Sequence, residues 1–132
     1  MKVEHIGIAV KDLKNANKLF GALFGEEHYK IEEVESEGVN TSFFKMGKTK
    51  IELLAATNSD SPIAKFLEKR GEGIHHVAFE VKDIEKEIKR LQKEGFTVLN
   101  ETPKLGADNK RICFLHPKST GGILIELCQE RD

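Results

Sequence analysis

Two histidines and two glutamates recur in this chain inside matching strings. His5-Ile6-Gly7-Ile8-Ala9-Val10-Lys11-Asp12-Leu13 aligns with His76-Val77-Ala78-Phe79-Glu80-Val81-Lys82-Asp83-Ile84, and Ile51-Glu52-Leu53 aligns with Ile125-Glu126-Leu127. The interval from histidine to glutamate is nearly the same in both copies, so register holds along a whole half and the chain reads as a duplicated unit. A fold built from two similar halves can bring both His/Glu pairs to one centre. Two imidazoles and two carboxylates suit a divalent cation with coordination positions left open.

Each residue type alone has a plainer explanation. A single strand histidine is ordinarily a hydrogen-bonded structural residue, and a strand glutamate ordinarily points to solvent from a one-sided sheet. A carboxylate centred in an apolar strand and buried without a partner costs several kcal/mol, on the order of a small domain's stability margin. Both types recur at equivalent positions, beside small or mixed neighbours, and this favours metal binding by His5, Glu52, His76 and Glu126. His75 has the parity of Val77 and Phe79 and reads as structural. His28 reads as a solvated loop or strand residue. His116 stands at a strand end, structural or substrate-facing. Cys113 and Cys128 lie in apolar strands with no pairing pattern and read as buried, reduced thiols. The acidic run from Glu32 to Glu37 reads as a solvated strand end and loop. Lys110, Arg111, Lys65, Lys69 and Arg70 read as surface charge, with phosphate contact as the alternative.

The elements that must position these groups follow from period and caps. Val3 to Val10 alternates, with Ile6, Ile8 and Val10 on one face and His5, Gly7 and Ala9 on the other; Val77, Phe79 and Val81 oppose His76, Ala78 and Glu80 in the second copy. Asp12 and Asp83 are placed as helix N-caps. Helical spacing follows in Leu13, Ala16, Leu19/Phe20 and Leu23, and in Ile84, Ile88 and Leu91, with Gly25 and Gly95 at the C-terminal ends. Strands are predicted over 27–34, 39–46 and 49–55, with Gly47-Lys48 as a hairpin turn. Counting back from that turn puts Phe43 opposite Glu52, so Thr41 and Phe43 line the glutamate's face. The second half should repeat this with strands over 97–100, 111–116 and 123–129. Between the halves, Ser61 caps a connector helix with Pro62 at its first position and Gly71 at its end. The chain is thus a single domain over 1–132: module 1 about 1–57, connector about 58–73 and module 2 about 74–132.

Composition excludes several classes. With 39% hydrophobic and 33% charged residues in 132, one core or two small fused halves are feasible. Lys+Arg 21 against Asp+Glu 22 gives a formal charge of -1, so no basic field argues for nucleic acid. No apolar run has membrane-spanning length, and Met1-Lys2 leads straight into a strand without a signal-peptide core; no membrane partner and a cytoplasmic location are the expectations.

With its two His/Glu pairs in a repeated strand and helix pattern, the chain resembles the vicinal oxygen chelate superfamily, which includes glyoxalase I, extradiol dioxygenases and methylmalonyl-CoA epimerases. It is most similar to the epimerase family, over nearly the whole chain. The segments carrying the likeness run from Val3 to Val10, Ile51 to Leu54, Asp60 to Leu67, Gly71 to Ala78, Pro103 to Ala107, Phe114 to Ser119 and Gly122 to Leu127. The ligand set is shared with glyoxalase I; the connector with its double histidine and the His116-Pro117-Lys118-Ser119 turn point to the epimerases. The resemblance implies an α+β fold of two tandem βαβββ modules forming a curved mixed sheet around a metal site. It implies methylmalonyl-CoA as substrate, epimerised by proton transfer at C2 through a metal-stabilised enolate, and a homodimer. It assigns His5, Glu52, His76 and Glu126 as ligands of a divalent ion, cobalt by preference, with manganese, nickel, zinc or magnesium compatible. The resemblance also assigns Glu126 as the acid/base.

The sequence departs from part of that family. Some epimerases have Gln where this chain has Glu52, with a separate catalytic glutamate two residues after a Gly-Val pair; here Gly38-Val39-Asn40-Thr41 puts Thr41 there. A threonine hydroxyl is no ordinary base near pH 7, so Glu52 is expected to act opposite Glu126. Two rivals stand beside this reading. One is a glyoxalase I-type lactoylglutathione lyase, and the other a non-catalytic small-molecule binding protein on the same fold.

Overall fold

The computed structural model describes residues 1–131, which cluster as two compact units, residues 5–75 and residues 1–4 with 76 onward. In the first unit the elements are β1 (Lys2–Ala9, from His5 on), α1 (Leu13–Phe24), β2 (Lys30–Val34), β3 (Val39–Met46), β4 (Thr49–Ala56) and α2 (Pro62–Arg70). Its strands lie in the order β2-β3-β4-β1, antiparallel except for the parallel β1/β4 pair. The β3–β4 hairpin turns at Gly47-Lys48 and pairs Met46 with Thr49 and Phe43 with Glu52, as the turn count predicts.

Alternation divides this sheet into two faces. Val10, Phe44, Leu53 and Ala55 pack under α1, while Ala9, Val39 and Leu54 pack with Ile63 of α2. Asp12 accepts a hydrogen bond from Asn15 N at 3.0 Å and starts α1; Gly25, with φ 72°, ends it. The buried stripe of α1 is Leu13, Ala16, Phe20 and Phe24. Leu19 and Leu23, expected in that stripe, are 65% and 70% exposed. The helix is rolled so that its larger phenylalanines meet the sheet, Phe24 edge-on to Phe44 with ring centroids 5.4 Å apart, and the two leucines are left at the margin. His28, expected in solvent, instead lies half-buried with its ring 6.0 Å from that of Phe44. The connector forms as expected: Ser61 Oγ accepts from Ala64 N at 3.0 Å, and Gly71 closes α2.

The second unit follows the same plan with β5 (Gly73–Glu80, from His76 on), α3 (Ile84–Lys93), β6 (Lys104–Leu105), β7 (Lys110–Leu115) and β8 (Ile125–Glu130), ordered β5-β8-β7-β6. Asp83 caps α3 through Lys86 N at 3.1 Å. Ile84, Ile88 and Leu91 bury one face of that helix against Cys113, Leu115 and Leu127, each worth roughly 1.5–3 kcal/mol. Residues 97–100, expected as a strand, touch β7 through a single bridge, Val98 to Leu115. The Asn100 side chain takes the place of a ladder: it accepts from Phe114 N at 2.9 Å and donates to Ile112 O at 3.2 Å. The edge strand of this unit is instead the two-residue β6.

No helix among the described residues is long and apolar enough to cross a membrane.

Candidate functional site

In the first unit, β1 and β4 run parallel with Gly7 beside Glu52, which puts His5 and Glu52 on one face. The small Gly7 leaves the space between them open. His5 Nδ1 lies 3.1 Å from Glu52 Oε2, and both residues are buried. Phe43, opposite Glu52, walls this face. The Lys30 ammonium stands 4.4 Å from the Phe43 ring centroid and 3.5 Å from Glu32 Oε1.

The second unit repeats the construction. Ala78 lies beside Glu126 in the parallel β5/β8 pair, and Phe114 opposes Glu126 across the antiparallel β7/β8 pair. His76 Nε2 is 3.3 Å from Glu126 Oε1, again with both residues buried. The His76 and Phe114 rings meet edge-on with centroids 6.2 Å apart. Each half therefore sets an imidazole nitrogen against a carboxylate oxygen, away from water and backed by an aromatic ring. Such a pairing offsets the desolvation of the carboxylate, and it presents one nitrogen and one oxygen donor per half. That chemistry fits a divalent ion of intermediate softness.

The remaining candidates separate from these four. His75 is half-buried with its ring edge-on to Phe66 at 5.0 Å; burial holds its pKa down to about 4, so it is neutral and structural. His116 starts a short 3-10 turn, its Nδ1 accepting from Lys118 N at 3.0 Å. Cys113 and Cys128 are free, buried thiols. Burial, with a further contribution from the charge of Glu126, pushes Cys113 up to about 11 and raises Cys128 further. Arg111 pairs with Glu85 and holds that exposed carboxyl below its usual range.

Lys110 corrects the expectation of surface charge. Only 5% of it is exposed, and its ammonium reaches Glu130 at 3.5 Å. Its parity with Ile112 and Phe114 on β7 is the signal that places it on the face that bears Glu126. Thr41 is 1% exposed, and its Oγ1 has no hydrogen-bond partner among the described residues.

Residues 4–114 match the Glyoxalase/Bleomycin resistance protein/Dioxygenase superfamily. The chain belongs to this superfamily. The Ethylmalonyl-CoA/methylmalonyl-CoA epimerase of Cereibacter sphaeroides is 42% identical over 130 residues, covering 97% of each chain. Two solved structures share the fold closely. A Streptomyces coelicolor methylmalonyl-CoA epimerase variant in complex with 2-nitronate-propionyl-CoA superposes with a TM-score of 0.94 at 35% identity, covering 98% of this chain and 94% of that one. A methylmalonyl-CoA epimerase in complex with methylmalonyl-CoA and NH4+ gives 0.93 at 36% identity, with the same coverage. Within the superfamily the likeness is thus to the methylmalonyl-CoA epimerases, and the α+β fold of tandem βαβββ modules is the one these proteins share.

Proposed function

We propose that this chain interconverts the (2R) and (2S) epimers of methylmalonyl-CoA by moving the C2 proton between two glutamates. The observation that carries this reading is the mirrored pair of buried contacts, His5 with Glu52 and His76 with Glu126. Inversion at C2 needs a base on one face and an acid on the other, because a single group returns the proton to the side it left. A duplicated fold supplies two such carboxylates. Glu126 takes the proton from one epimer while Glu52 delivers one to the opposite face, and the reverse reaction exchanges their roles. His5 and His76 hold the two carboxylates in orientation, and Phe43 and Phe114 keep bulk water from the side of each.

His5, Glu52, His76 and Glu126 would together hold a divalent ion, Co2+ by preference, with Mn2+, Ni2+, Zn2+ and Mg2+ compatible with the donors. When bound, it would supply Lewis acidity for the negative charge that develops on the acyl oxygens as C2 loses its proton. We further propose a homodimer, which light scattering at twice the 14.9 kDa chain mass would verify. We also propose that it works in the cytoplasm, without nucleic acid or membrane partners.

Proton NMR of methylmalonyl-CoA in D2O with the purified protein tests the reading. The C2 proton signal should wash out, and a chelator should stop the loss. A stable C2 signal with metal-replete protein, alongside turnover of methylglyoxal and glutathione, would move the assignment to the lyase branch of the superfamily.

A further inference from the structure

Thr41 pairs with Leu54 on β4, two residues along from the Phe43–Glu52 pair, so its side chain shares the face of Glu52. That hydroxyl is buried and makes no hydrogen bond in the described structure. Burying a polar group without a partner works against folding, and sequences ordinarily avoid it.

The duplicated half shows that packing does not require a hydroxyl there. Phe114 opposes Glu126 as Phe43 opposes Glu52, and two residues before Phe114 stands Ile112, paired with Cys128. Ile112 is buried with Ala78 and Cys128 in an apolar cluster. The fold accepts an apolar β-branched residue at this register in one copy and keeps an unsatisfied hydroxyl in the other. Across the strand pair from Thr41, Glu32 is committed to the Lys30 ammonium at 3.5 Å.

We infer that Thr41 Oγ1 is a substrate contact, donating a hydrogen bond to an acyl oxygen of the thioester held against Glu52. This rests on the proposed epimerase activity and adds a specificity-determining residue to it. The acyl group offers only oxygen acceptors, a thioester carbonyl and a carboxylate, so the hydroxyl must be the donor. With one donor fixed beside one of the two proton-transfer groups, the acyl group is held in one rotational setting while C2 is inverted.

The substitution Thr41→Val keeps the shape and removes the donor. KM for methylmalonyl-CoA should rise about tenfold, the loss of one hydrogen bond, while Thr41→Ser stays near wild type. The thermal midpoint of Thr41→Val should equal or exceed that of wild type, because the unsatisfied group is gone. Inhibition by propionyl-CoA, which lacks the carboxylate, locates the acceptor. Equal inhibition constants for wild type and Thr41→Val support a contact to the carboxylate, and a matching rise supports the thioester oxygen. Wild-type KM and kcat in Thr41→Val would overturn the inference while leaving the activity standing. A lowered midpoint would also overturn it, by showing that the hydroxyl serves the fold. Failure of the wild-type protein to exchange the C2 proton would reject the activity itself, and this contact with it.

Discussion

Glu52 and Glu126 occupy matched positions, each beside an imidazole, and the chemistry proposed for them separates on isotope exchange. In Glu126→Gln the epimer whose C2 proton faces Glu126 should stop exchanging with D2O, whereas the other epimer still exchanges through Glu52 but is not inverted; Glu52→Gln should show the converse. Epimerisation should fall by roughly two to four orders of magnitude in either variant, the usual contribution of a positioned acid or base. Full epimerase activity with retained metal in Glu52→Gln would reject the two-glutamate arrangement. These residues were legible without a structure because the repeat marks them twice. Lys110 and the unpaired state of Thr41 were not, since a single lysine beside an arginine looks like surface charge and a hydroxyl's partners depend on its neighbours in space.

Among the elements, turns carry the most exposed sequence signals, and Gly38 shows what such a signal hides. Its φ of 62° is left-handed, and a Cβ there would stand 2.7 Å from Ser61 Cβ and 3.0 Å from Asn58 Nδ2. Gly47 has a similar φ of 65° but nothing within 4 Å of the added atom. Gly47→Ala should therefore cost about 1 kcal/mol for the backbone alone, and Gly38→Ala about 2 kcal/mol or more, because the start of α2 must also move. Urea unfolding of both variants checks the difference, and equal losses would contradict it. The β1, β3, β4 and α2 boundaries followed from alternation, a glycine turn and a Ser-Pro cap, all local features. The segment over 97–100 misled because Asn100 replaces ladder bonds with its own amide, and β6 escaped notice because two residues cannot display a period. The roll of α1 that exposes Leu19 and Leu23 is set by what its phenylalanines meet on the sheet.

For the molecule as a whole, the buried thiols give stability an alkaline limit. The folded state keeps Cys113 protonated up to about 11, whereas the unfolded chain releases the proton near 9.0. Below 9.0 the two states bind the same proton and no stability is lost; as pH rises from 9.0 to about 11 the unfolded state is favoured, by up to about 2–3 kcal/mol from this group. The urea midpoint should fall over that interval, and less steeply in Cys113→Ala, while the native wild-type protein should leave both thiols unlabelled at pH 8. Rapid labelling without denaturant would show that the core opens more readily than its packing implies.

Strands at the rim of a sheet invite other chains to add to them. At one rim of the first unit lies β2, five residues carrying Lys30, Glu32 and Glu33, and at one rim of the second lies β6, only two residues long. Neither offers a long neutral run of backbone donors and acceptors to a passing molecule. These two margins are thereby poor templates for polymer growth.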